Sequence, residues 1–232
     1  MPVYQLDEGL WFPNPKYGEP DGLFAVGGDL SVNRLLLAYS HGIFPWYAYQ
    51  LYNEPHWYCP MERFVIFPKE IHISHSMKQL IRQGKYHITI DHDFEGVIKG
   101  CSKADCRNTD MGAWLGPQMI NAYTQLHKMG IAHSIEVWEA KETGNDTSIP
   151  LRLVGGLYGI DLNGAFFGES MFSLVPSASK LALIHLAQHL EKKGYSFIDC
   201  QFETPHLLSM GGRHIPYEEY MAILNANAHR KE

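Results

Sequence analysis

Three consecutive segments, AHSIEVWEA, LRLVGGLYGID and GAFFGESMF, are rich in β-branched and aromatic residues and are joined by the turn-rich ETGNDTSIP and by LNG. Strands on connections this short must double back, so the pattern predicts an antiparallel meander. The next segment, VPSASKLALIHLAQHLEKKG, reads as a helix with Ser177 as N-cap and Gly194 as its C′ stop, and YSFIDCQFE follows as another strand. A strand, a helix and a strand in that order make a right-handed crossover, which lays YSFIDCQFE beside GAFFGESMF. The sheet is therefore mixed but largely antiparallel, and the fold class is α+β.

Upstream, HISHSMKQLIRQG and PQMINAYTQLHKMG read as amphipathic helices ending at Gly84 and Gly130, and YHITIDHD reads as a strand. The first sixty or so residues have another texture, rich in Pro, Gly and aromatics. Their one strong helix signal is GGDLSVNRLLLAYSHG, with Ser31 as N-cap, apolar positions through Leu37 and Gly42 past the end. The texture changes around MERFVIFPKE, which predicts a small domain over residues 1–64 and a second over 65–232.

With 45% hydrophobic and 12% aromatic residues, the chain has ample material for a core. Its apolar runs fall short of the roughly 18 residues a membrane span needs, and MPVYQLDEGLWFPNP has no basic n-region or continuous h-region, so a cytoplasmic protein without membrane partners is expected. Cys59, Cys101, Cys106 and Cys200 form no disulfide framework and lack zinc-type spacing; His72/His75 and His185/His189 lack the glutamate and third ligand of a metal helix. No metal is expected. Lys and Arg number 19 against 25 Asp and Glu, a net charge of −6, which argues against non-specific coating of nucleic acid. A local basic stretch does occur, with Lys69, Lys78, Arg82 and Lys85 between Lys69 and His87; it is either a solvated helix face or a place for phosphate contacts.

The most unusual stretch is FFGESMFSLVPSASK. At strand period Phe167, Glu169, Met171 and Ser173 share one face, and Phe166, Gly168, Ser170 and Phe172 the other. A carboxylate between two large apolar side chains loses hydration unless a cation or donors replace it, so Glu169 is either paired inside the fold or part of a site. In YSFIDCQFE the same period puts Phe197, Asp199 and Gln201 on one face. With the two strands adjacent, Glu169, Met171, Asp199 and Gln201 open into one cleft, polar groups rimmed by apolar ones.

A strand followed by a helix N-terminus at VPSASK suits an acetyltransferase-like fold, in which a cofactor pyrophosphate rests on that terminus. Users of acetyl-CoA need a glycine-rich turn there, and Val175, Pro176, Ser177 and Ala178 do not supply one, so the fold is expected without the cofactor. VGGLYG is neither a dinucleotide fingerprint nor a phosphate loop. GIFPWY and GAWLGP place Trp46 and Trp114 in loops, where a tryptophan either anchors a core or stacks on a nucleobase.

The blocks GLFAVGGDLSVNRLLLAYSHGIFPWY, AHSIEVWE, LVGGLYG, FFGESMFS, ASK and IDCQ stand in an order and spacing that resembles the leucyl/phenylalanyl-tRNA–protein transferase family, from about Leu23 to Pro216. The resemblance implies an enzyme that moves leucine or phenylalanine from aminoacyl-tRNA to a protein N-terminus bearing Arg or Lys, marking that protein for degradation. It implies a small N-terminal domain, an acetyltransferase-like (GNAT) C-terminal domain, no cofactor and a monomer. By the same resemblance Trp46 and Trp114 hold the terminal adenosine of the tRNA, and Glu169 sits by the acceptor and the aminoacyl ester. Asp199 and Gln201 handle the attacking amine, while Leu157, Phe166, Met171 and Ile198 match positions near the amino-acid pocket; in an ideal strand Ile198 points away from Gln201. Two positions depart from the family's pattern: Ala113 stands where Thr usually precedes the Trp, and Tyr217 stands where a basic residue usually follows Ile-Pro. Two rival readings remain at this stage. One is an aminoacyl-tRNA-dependent transferase acting on a cell-wall peptide; the other is a non-catalytic binder of basic protein N-termini or tRNA ends.

Overall fold

The computed structural model describes residues 3–105, 113–140 and 151–228; the turn segment ETGNDTSIP and Cys106 lie outside the described residues. A four-stranded sheet is built from β1 (Tyr4–Leu6), β2 (Leu23–Gly27), β3 (Phe44–Pro45) and β4 (His56–Tyr58), in the order β1-β2-β4-β3. Helix α1 (Val32–Ser40) starts where the hydroxyl of Ser31 accepts the Arg34 amide N–H, and left-handed Gly42 follows its end.

A seven-stranded sheet runs in the order β11-β5-β10-β9-β8-β7-β6, from β11 (Arg213–Pro216), β5 (Glu62–Ile66), β10 (Ile198–Asp199), β9 (Ala165–Ser173), β8 (Leu151–Leu162), β7 (Ala132–Ala140) and β6 (Tyr86–Ile90). Strands β7, β8 and β9 form the antiparallel meander expected from sequence, and β10 lies parallel to β9. Two hydrophobic clusters cover the sheet. One gathers α1, α3 (Phe94–Asp105), α4 (Pro117–Lys128) and α7 (Tyr217–Ala228) through residues such as Leu35, Val97, Tyr123 and Tyr220. The other buries α5 (Ala178–Lys192), with Leu181, Ile184 and Leu186, together with Met77 from α2 (His75–Gln83). The short α6 (Pro205–Ser209) connects β10 to β11.

The expected helices α2, α4 and α5 and strand β6 form, with Gly84, Gly130 and Gly194 all left-handed at or just past helix ends. Four local features differ from the sequence-based expectation. Ser177 stands at the N-cap of α5 but is itself left-handed (φ 70°) and makes no side-chain cap; the Ser173 hydroxyl accepts the Ser179 amide at 2.8 Å instead. Helix α3, unmarked by the sequence reading because Gly96 and Gly100 interrupt it, forms because Phe94, Val97, Ile98 and Cys101 share a buried face and Asp93 accepts the Gly96 amide. The strand YSFIDCQFE contracts to Ile198–Asp199, since Gln201 is left-handed (φ 61°) and the Phe202 amide turns back to the Cys200 carbonyl. Strand β9 carries a bulge at Glu169, described below. No helix among the described residues is long and apolar enough to cross a membrane.

Candidate active site

Opposite β8, Gly159 pairs with Gly168 and Tyr158 with Ser170, which leaves Glu169 as the extra residue of a β-bulge. A bulge inserts one residue and so inverts the alternation of every side chain beyond it. Phe167 packs edge-on against Tyr39 at 5.1 Å, and Glu169 points the same way, but Met171 joins the opposite cluster with Leu157 and Ile198. The period-2 assignment of Phe167, Glu169 and Met171 to one face is thereby corrected, as is that of Phe166 with Phe172. The bulge needs glycine at position 159, because a Cβ there would run into the Phe167 carbonyl oxygen and the Phe166 ring.

The bulge aims Glu169 at two buried phenols. Tyr39 donates to Oε1 at 2.8 Å and Tyr123 to Oε2 at 2.7 Å, and the two phenolic oxygens are themselves 2.7 Å apart. Burial pushes the Glu169 carboxyl up to about 7, against the lowering effect of the two phenol donors. Burial likewise holds Tyr39, Tyr123 and the neighbouring Tyr158 well above the usual phenol range.

At the end of β10, Asp199 is fully buried and receives Nε and Nη2 of Arg63, from β5, at 2.7–3.0 Å. The Tyr220 hydroxyl donates to its Oδ2 at 2.8 Å, and the backbone amide of Gln201 donates to its Oδ1 at 2.9 Å. The guanidinium lies between the rings of Phe44 and Tyr220, 4.7 and 5.0 Å from their centroids. Asp199 therefore does not share an exposed face with Gln201. It ties down the left-handed turn that swings the Gln201 side chain out of the sheet.

That turn opens the site. Pairing between β10 and β9 ends at Asp199↔Phe167, while β9 runs on to Ser173 and the other chain departs at Cys200 and Gln201. The gap is a cavity of about 250 Å³ with apolar walls that include Leu157, Met171, Leu183, Leu186, Ile198 and Leu207. A second cleft of about 120 Å³ is lined by Phe44, Pro45, Trp46, Trp114 and Phe202. Glu169 and Gln201 line both.

Both tryptophans are half-buried. Trp46 leans on Tyr58 and Phe202 at 5.5 and 5.3 Å, and its amide is held by the His56 carbonyl. The Trp114 and Leu115 amides both donate to Asp105 Oδ2, at 2.7 and 2.9 Å, which fixes that loop to the end of α3.

Of the residues singled out from sequence, Leu157, Met171, Ile198, Glu169 and Gln201 come together in the apolar cleft, and Trp46 and Trp114 both line the second. Ile198 reaches the cleft alongside Gln201 because the strand ends between them. Phe166 lines neither; it borders a separate cavity with Ile135 and Leu186. Asp199 lines neither and lies beneath Gln201. Sequence reasoning missed Arg63, Tyr220, Tyr39 and Tyr123, which hold the two carboxylates, and Phe202, Leu183 and Leu207, which wall the clefts. A lone arginine inside ERFVIF was an available signal for Arg63; a buried tyrosine leaves no pattern distinct from other aromatics. Among the described residues no group of three or more His, Cys, Asp or Glu side chains is placed to hold a metal ion.

A family model described as leucyl/phenylalanyl-tRNA protein transferase matches residues 65–225, and one described as the N-terminal domain of that transferase matches residues 28–61. The chain is 46% identical to a leucyl/phenylalanyl-tRNA–protein transferase of Thermodesulfovibrio yellowstonii, over 97% of this chain and 86% of that protein. It is 45% identical to one from an Anaeromyxobacter species (97% and 90% covered) and 44% identical to one from Desulforapulum autotrophicum (100% and 95% covered).

Proposed function

The chain belongs to the leucyl/phenylalanyl-tRNA protein transferase family, and from that premise we propose a division of labour between its two clefts. The apolar cleft takes the leucyl or phenylalanyl side chain, the tryptophan cleft takes the terminal adenosine of the tRNA, and the ester between them lies at Glu169 and Gln201. The observation that carries this reading is the sharing of those two residues by both clefts. An aminoacyl-adenosine has the same layout, an apolar group and a nucleobase joined at one reactive carbonyl. An apolar cavity of about 150 Å³ is enough to bind benzene, so a cavity of about 250 Å³ admits a benzyl or isobutyl group.

The acceptor in this reading is a protein whose N-terminus is Arg or Lys, and the product is an N-terminal degradation signal in the cytoplasm. The enzyme works as a monomer. Residues 65–232 act as an acetyltransferase-like domain, and residues 1–64 form a small domain that contributes Trp46 and Tyr39; β5, which straddles the boundary, goes with the larger sheet. The N-terminus of α5 does not fit a coenzyme A pyrophosphate: it has no glycine-rich turn, and the Ser179 amide is already bound to Ser173 Oγ.

The chemistry asked of the site is modest because the ester is already activated. The neutral α-amine must be brought to the carbonyl carbon and its developing charge accommodated. The N–C bond forms, the C–O3′ bond breaks, and a proton passes from nitrogen to the ribose 3′-oxygen. Gln201 accepts a hydrogen bond from the amine through its side-chain oxygen, and Asp199 positions Gln201 by holding its backbone amide. Glutamine is no conventional base, so its contribution is alignment.

The rival with a cell-wall peptide acceptor and the non-catalytic binder find no support in relatives named as protein transferases along nearly the whole chain. The reading is tested by incubating the protein with labelled Phe-tRNA and peptides beginning with Arg, Lys or Ala. Label should enter the first two. Transfer to none, or equally to all three, would refute it.

A further inference from the structure

We propose that Tyr39, Tyr123 and Glu169 form a closed ring that holds one proton beyond those of the two phenols, and that during transfer this ring gives a proton to the leaving 3′-oxygen while accepting one from the attacking amine. The transfer half rests on the placement of the ester at Glu169 proposed above; the ring itself does not.

The ring follows from counting protons. The three side chains make three oxygen–oxygen contacts, Tyr39 to Glu169 Oε1, Tyr123 to Glu169 Oε2 and Tyr39 to Tyr123, all at 2.7–2.8 Å. Each contact needs one proton between its oxygens, and a tyrosine carries only one. With Glu169 ionised, both phenols donate to the carboxylate. The Tyr39–Tyr123 contact then sets two lone-pair-bearing oxygens against each other in a dry core, where an unmade hydrogen bond is costly. A third proton on the carboxyl removes the conflict. One carboxyl oxygen then donates to one phenol, that phenol to the other, and the second phenol to the other carboxyl oxygen.

The closed ring runs equally in two senses. Shifting three protons along existing hydrogen bonds converts one sense to the other and moves the acidic proton from Oε1 to Oε2, with no heavy atom moving. A carboxyl group wired in this way can take a proton at one oxygen and release one at the other. That is the exchange the reaction requires: as the N–C bond forms the nitrogen loses a proton, as the C–O3′ bond breaks the oxygen gains one, and the ring ends with the number it began with.

The surroundings support this poise. Facing Glu169 are Tyr39 from α1, Tyr123 from α4, Tyr158 from β8, Asp199 from β10 and Arg63 from β5. Burial and the Asp199 charge raise its carboxyl, while the two phenols and Arg63 lower it. Because burial also raises all three tyrosines, the carboxyl is the member that titrates. Glu169 lines both clefts, which places the residue beside a ligand bound across them.

The test pairs a spectroscopic titration with kinetics on the full chain. Infrared difference spectra, wild type minus Glu169→Gln, follow the protonated carboxyl against pH, and single-turnover transfer from Phe-tRNA to an Arg-initial peptide is measured over the same range. A carboxyl that stays protonated well above the ordinary glutamate range is expected in the wild type. It should titrate lower in Tyr39→Phe and in Tyr123→Phe, because removing either phenol opens the ring and removes the opposed phenol oxygens that make the ionised form costly. A higher titration, the result of losing a donor alone, overturns the ring. The pH profile of transfer should move with it in both variants; titration of the peptide amine is common to all of them and cancels in the comparison. Glu169→Gln, which keeps the shape but cannot release a proton, should transfer about 10²-fold more slowly. Ionisation of Glu169 in the ordinary range overturns the ring. A carboxyl that shifts in the tyrosine variants while the kinetic profile stays still overturns its part in transfer. A wild type that titrates as expected yet transfers nothing refutes the function reading and the transfer step together, and leaves the ring standing.

Discussion

Arg63 and Asp199 form a fully buried ion pair, Nη2 2.7 Å from Oδ2, directly beneath the turn that presents Gln201 to the site. The charge on each partner is tolerated only because the other is present. The pair thus supports the turn that carries Gln201, and in the proposed reading its worth to activity is routed through the Gln201 backbone.

Removing one partner should therefore cost fold before it costs chemistry. Asp199→Ala strands the Arg63 guanidinium in the core and should destabilise the protein by roughly 3–5 kcal/mol, read as a lower midpoint in denaturant. Gln201→Ala should fold nearly as well as wild type, since the bond that ties the turn to Asp199 comes from the Gln201 backbone amide and survives the substitution. Its single-turnover rate should nonetheless fall by about 10²-fold. In the milder Asp199→Asn background the further change Gln201→Ala should add little, because the two residues act as one unit.

Side-chain selectivity should follow the walls of the apolar cleft. Met171 and Leu183 can adapt to side chains unbranched at Cβ, so Leu and Phe should transfer well from correctly charged tRNA, and β-branched Val and Ile poorly. Apolar pockets discriminate by roughly 1–3 kcal/mol per methylene. Comparable transfer of Val and Phe would contradict this assignment.

The tryptophan cleft should be separable from folding. Trp46→Ala should weaken use of the aminoacyl-adenosine end by about 1–3 kcal/mol, the value of one stacking partner. Its melting temperature should drop less than that of a variant at fully buried Trp57. A Trp46→Ala protein with wild-type transfer would mean that the ring serves only to pack against Tyr58 and Phe202.

Glu169 should leave a mark on stability against pH. Its carboxyl is raised to about 7 in the folded protein, above its unfolded value. Between those two values the folded state holds more protons than the unfolded one, so stability falls as pH rises through that window. Glu169→Gln cannot ionise. Its melting temperature relative to wild type should increase from pH 5 to pH 8, and a flat difference would contradict the shift.

Much of this was legible in sequence, and the failures have specific causes. The meander, the crossover to β10 and the cap at Ser31 follow from turn lengths and local donors, which act over a few residues. The bulge at Glu169 was hidden because one extra residue leaves the composition of β9 unchanged while inverting its alternation; the facing glycines 159 and 168 were its faint trace. The supports of the two carboxylates were hidden for another reason. Tyr39 lies 130 residues from Glu169, and Arg63 lies 136 from Asp199, distances over which no local pattern operates. The early end of β10 depends on the left-handed Gln201, which nothing in IDCQ announces.

The placement of an aminoacyl-adenosine across two clefts that share Glu169 and Gln201 is most directly tested by a crystal structure with a non-hydrolysable phenylalanyl-adenosine amide. The expected result puts the benzyl group among Leu157, Met171 and Ile198, the adenine between Trp46 and Trp114, and the amide carbonyl beside Glu169 and Gln201. An adenine in the apolar cleft, or a ligand bound away from Glu169, would contradict the account.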